Sequence, residues 1–93
     1  MYNLEVKEEV DKIFNKLSKK NVKQLKIVNK KINEICNNPN HICKFLRKPL
    51  QKFNRIHIDN HFVLIFKIDH VLKKVVIYHF EHHDKVYSWL PKD

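Results

Sequence analysis

The chain has 93 residues, 43% of them hydrophobic, with 19 Lys or Arg against 10 Asp or Glu and a formal charge of +9. That length supports one core and leaves no room for a second, so residues 1–93 are expected to form a single domain. The charge favours a polyanionic or acidic partner, and the charged start "MYNLEVKEEVDK" and short apolar run "FVLIF" argue against a signal peptide and a membrane span. A cytoplasmic protein with no membrane partner is expected, with Cys36 and Cys43 reduced.

"YNLEV" alternates Tyr2, Leu4 and Val6 with polar residues, the period of a half-buried strand. Val6, Val10, Ile13, Phe14 and Leu17 then recur at three and four residues, with acids in the first turn, which predicts a helix over 7–19. After a break at "KKN", the stripe Val22, Leu25, Val28, Ile32, Ile35 predicts a second helix to about residue 36, ended by "NNPN". Two helices so joined pack as an antiparallel pair with one face left to bury.

The second half supplies that cover. "RIHI" at 55–58, the turn signal Asp59-Asn60, "FVLIFKI" at 62–68, a turn at 69–73 and "KVVIYHF" at 74–80 read as a three-stranded antiparallel meander. With the N-terminal strand this is an α+β fold: a four-stranded sheet with the helix pair on one face and the other face partly open. The sequence contains no Gly, so Asn and Asp are expected wherever a turn needs positive φ. Between the halves, "NHICKFLRKPLQKFN" shows little period and carries Lys44, Arg47, Lys48 and Lys52.

No metal and no cofactor is expected. Cys36, His41 and Cys43 lack the paired spacing of a structural zinc site, and His82 and His83, as neighbours on an extended chain, would point to opposite faces. A basic face is the better signal. If Ile56 and Ile58 face the helices, Arg55 and His57 emerge on the open face beside Val63, Ile65 and Lys67, with a basic loop leading in and His83 and Tyr87 arriving at the end of the last strand. Cleaving RNA through its own 2′-hydroxyl needs a proton acceptor, a proton donor to the 5′-oxygen and a cation for the crowded phosphate. Histidine serves either proton transfer, and arginine serves the phosphate.

The stretch "KFLRKPLQKFNRIHIDNHFVLIFKIDHVLKKVVIYHFEHHDKVY" resembles the RelE/YoeB superfamily of toxin–antitoxin ribonucleases, and the resemblance covers nearly the whole chain. Leu46 and Arg47 match the family's loop motif, Arg55 and His57 its basic strand, and Leu64, Ile65 and Phe66 its next strand. His82, His83, Val86 and Tyr87 match the closing motif, with His83 where arginine is usual. What the resemblance implies is a metal-independent endoribonuclease that cuts mRNA in the ribosomal A site, held inactive by a RelB-like antitoxin and meeting operator DNA only as the toxin–antitoxin complex. In that frame His57 is the expected general base, His83 the general acid, Arg55 and Arg47 the phosphate ligands, and Tyr87 a stacking or orienting group. Lys44, Lys48, Lys52 and His82 would hold RNA. The chain departs from the family at Val63, which stands where an arginine precedes "Leu-Val-Tyr", and no carboxylate matches the general base of some members. A ParE-like or degenerate toxin that binds gyrase or the ribosome without cutting RNA is therefore the alternative. An acidic amphipathic helix from the antitoxin is expected on the open face, near Val63 and Ile65.

Overall fold

A computed structural model describes residues 1–39, 44–45 and 53–86. The elements in order are β1 (Asn3–Val6), α1 (Glu8–Lys20), α2 (Val22–Asn37), β2 (Lys44–Phe45), β3 (Asn54–Ile58), β4 (Phe62–Asp69) and β5 (Lys74–His82). The α+β arrangement is the expected one, and the sheet runs β1-β5-β4-β3-β2. β1 pairs with β5 in parallel and the other pairs are antiparallel, so the sheet is mixed. The two-residue β2 extends the edge beyond the four anticipated strands.

Each helix boundary has a local cause. Glu8, Glu9 and Asp11 sit in the first turn of α1 and Lys19 and Lys20 in its last, both signs favourable to the helix dipole. Asn21 ends α1 and starts α2: its N–H donates to the Leu17 carbonyl at 2.8 Å, and its side chain accepts from the Gln24 N–H at 3.1 Å. Where glycine would be expected in turns, Asp59 (φ 51°) and Asn60 (φ 57°) carry the β3–β4 reversal, and Lys73 (φ 52°) closes the β4–β5 turn. Asp69 supports that second turn by accepting from the N–H groups of Val71 and Leu72.

The apolar stripes of α1 and α2 meet one face of the sheet. Val10, Val28, Ile32 and Ile35 pack with Ile58, Leu64, Phe66, Val75, Ile77 and Phe80 in the main core. Cys36 is buried there as a free thiol, and burial pushes its pKa up, as suits an inert core residue. Cys43 lies outside the described residues.

The opposite face departs from expectation. Val63 and Ile65 are not exposed beside the basic residues but buried, in a second small cluster with Phe53 and Val86 against Tyr78. A side chain from each flank of the meander covers them, so they do not form an open docking surface. No helix among the described residues is long and apolar enough to cross a membrane.

β4 is thus buried on both faces, and the loss of one of its side chains is expected to be severe. Leu64→Ala should cost about 2–5 kcal/mol of unfolding free energy. Leu72→Ala, at a turn position 63% exposed, should change stability by no more than about 0.5 kcal/mol. Urea denaturation of the two variants beside the parent chain measures both.

Candidate functional site

The register of the meander sets the site. On the face away from the helices Arg55 lies opposite Ile65, His57 opposite Val63, and Val63 in turn opposite Glu81. Beyond the last pair, the His83 N–H donates to the His61 carbonyl at 2.8 Å, which brings His83 to the same end of the sheet. Arg55 is half-buried, while His57 and His83 are exposed. Lys44 is in register with Arg55 on β2.

One irregularity decides what reaches this face. Ile65 pairs with His79 but Phe66 pairs with Ile77, so β5 carries one extra residue at Tyr78. Such a bulge shifts the alternation of every later residue in the strand. Phe80 is thereby returned to the helix core, and Glu81 is placed in the row of Val63 and His57. Strict alternation along "KVVIYHF" gives no sign of this, and no local period marks Glu81. His61, which lies beside His83, also went unnoticed because a turn residue has no period to mark it.

Of the residues expected to act together, register puts Arg55 and His57 on one face, and a backbone hydrogen bond to His61 brings the His83 main chain to the same end of the sheet. His82 stands apart: it pairs with Phe62 and meets that ring edge-on at 5.4 Å between centroids, on the helix side of the sheet. Its ring nevertheless lies 5.8 Å from that of His83, because β5 ends at His82 and the chain turns through 83–85. The expectation that the two would diverge holds only for continuous strand. Arg47, Lys48, Lys52 and Tyr87 lie outside the described residues, as does the Lys44 side chain. Lys67 is on the basic face as expected, with its ammonium 4.7 Å from the centre of the Phe53 ring.

With this geometry, likeness to known proteins becomes informative. No family model matches the chain. A Methanocaldococcus jannaschii protein named "Putative toxin RelE4" is 48% identical over 88 residues, spanning 95% of this chain and 93% of that one. The chain belongs to the RelE family of toxins. An uncharacterized protein of Methanosarcina mazei is 47% identical over 87 residues, 94% of this chain and 100% of its own. Among solved structures, a chain of the RelBE2 toxin–antitoxin complex of Mycobacterium tuberculosis superposes with a TM-score of 0.72 at 20% identity, covering 88% of this chain and 98% of that one. A chain of the YoeB–YefM complex of Staphylococcus aureus gives 0.75 at 16% identity, covering 89% and 98%. At such identities the likeness is one of fold, and it places this RelE-family chain in the same architecture.

His79, the bulge neighbour, is buried near two carboxylates: Glu9 from the first turn of α1 at 3.8 Å and Glu81 from β5 at 3.7 Å. Burial pushes its pKa below the ordinary histidine value, and the two glutamates oppose that shift without cancelling it. The folded chain therefore holds this proton less tightly than the unfolded chain. Its contribution to stability is complete above the unfolded pKa of about 6.5 and is lost as pH falls through that value towards the folded pKa. The urea midpoint should drop between about pH 7.5 and about pH 5.5, and His79→Gln should make that drop shallower.

Proposed function

We propose that this RelE-family chain is a metal-independent endoribonuclease that cuts mRNA in the ribosomal A site by attack of the 2′-hydroxyl. The observation that carries the reading is that Arg55 and His57 share one sheet face, with the His83 backbone held at the same end of the sheet. His57 takes the 2′-hydroxyl proton, His83 delivers a proton to the leaving 5′-oxygen, and Arg55, joined by Arg47 from the basic loop, binds the phosphate as its charge builds. Tyr87 stacks on or orients the base, and Lys44, Lys48, Lys52 and His82 supply further contacts to RNA. The formal charge of +9 supports attraction to the ribosome and its message.

A second reading, a toxin that blocks its target without cutting RNA, draws on Val63. That residue replaces the family's arginine and is buried at 1% exposure, so this position supplies no phosphate clamp. Primer extension on messages from translating ribosomes separates the two. Cuts within A-site codons are expected, with His57→Ala and His83→Ala each slowing cleavage by about 10²-fold or more. Stalling or gyrase inhibition without cuts would establish the second reading instead.

The partner we infer is an antitoxin carrying an acidic amphipathic segment, as the toxin–antitoxin composition of the two structural neighbours suggests. With Val63 and Ile65 covered, the surface suited to it is the groove between α1 and the sheet. Ile13, Leu17, Phe62 and Phe80 line it together with Gln24, and Lys16 and Lys20 outnumber the single acid there, Glu81. Its cavity of about 260 Å³ takes one or two apolar side chains, and the lysines attract the acids beside them. Leu17→Glu should weaken antitoxin binding at least about tenfold in calorimetric titration, whereas His57→Ala should leave it unchanged.

A further inference from the structure

The end of β5 and the turn that follows it bring His82 and His83, both used in the nuclease reading, against Asp84, to which that reading gives no role. His82, His83 and Asp84 present ligand atoms that all lie within 4.8 Å of one another. We propose that these three residues bind a divalent transition-metal ion of the class that favours imidazole nitrogen, with zinc as its representative.

The distances support this directly. The Asp84 carboxylate faces both rings, Oδ2 at 3.5 Å from His82 Nδ1 and Oδ1 at 3.2 Å from His83 Nδ1. Ligand atoms about 2.0–2.2 Å from a tetrahedral zinc lie roughly 3.3–3.6 Å from each other. Each imidazole thus stands near a carboxylate oxygen at about the separation a bound ion imposes, His82 beside Oδ2 and His83 beside Oδ1, and rotation of the carboxylate and rings brings one atom of each residue onto a common ion.

Rigidity also fits. His82 Nδ1 accepts from the Asp84 N–H at 3.2 Å, so an ion bound at that nitrogen takes the place of this hydrogen bond. The turn is held by the Lys85 N–H to the His82 carbonyl at 2.9 Å and by the His83 N–H to the His61 carbonyl at 2.8 Å. Around His82, the Phe62 ring packs edge-on and the His61 ring lies parallel at 6.1 Å, so its orientation is limited before any ion arrives. Three protein ligands leave one position for water, a pattern that suits reversible binding better than a structural role.

The consequence rests on the proposed function. A His83 nitrogen bound to metal cannot carry the proton assigned to it, so a loaded toxin would be held off. The metal site itself does not depend on that reading, and its test is one of binding.

The untagged full chain is titrated with Zn2+ in competition with a chromophoric chelator, and with Co2+ while the visible absorption of tetrahedral cobalt is followed. One ion per chain is expected, with His83→Ala and Asp84→Asn each weakening binding about tenfold or more and dimming the cobalt bands. His70→Ala, at the β4–β5 turn, should leave both readouts unchanged. Absence of one-to-one binding, or equal affinity in the His83 and Asp84 variants and the parent, overturns the site whatever the cleavage assay shows.

Discussion

Burial of β4 on both faces is the constraint on which the rest of this structure depends. Leu64 and Phe66 point into the core beneath the helices, and Val63 and Ile65 into the smaller cluster with Phe53 and Val86. A strand without water on either side must have its peptide groups paired along both edges, and β3 and β5 provide those partners. The meander, the fixed register and the common face of Arg55, His57 and Glu81 all follow from that requirement.

The bulge at Tyr78 reconciles two demands placed on β5. Its first half must offer Val75 and Ile77 to the helices, and its second half must offer Phe80 to the same core. Those residues do not share one parity, so the strand takes up an extra residue between them. Tyr78 then packs edge-on against Phe53 at 4.9 Å, His79 settles near Glu9 and Glu81, and the strand delivers its C-terminal histidines to the end where the chain reverses at Asp59 and Asn60. Packing on one face of the sheet thus arranges the chemistry at its rim.

Much of this was legible along the chain. The stripe from Val10 to Leu17 and that from Val22 to Ile35 marked α1 and α2 within a residue or so, because a helix repeats its buried face every three or four positions. Alternation in "RIHI" placed Arg55 and His57 opposite Ile58, and the Asp59-Asn60 pair marked a reversal that a chain without glycine must make with such residues. What went unread were contacts between segments distant in sequence. Phe53 and Val86 close over Val63 and Ile65 from either flank of the meander, and neither carries a local pattern that says so.

The amino-acid sequence by itself determined the element order, the helix faces and the basic strand, since these depend on residue type at short, regular spacing, and its likeness to RelE toxins ran along nearly the whole chain. Only the tertiary structure decided that the second sheet face is partly closed, that Glu81 joins the row of His57, and that His82 and His83 draw together instead of apart. The reason is physical: period reports which way a side chain points along an ideal element. A bulge, a strand end or a distant covering side chain changes that direction through packing that no local window contains.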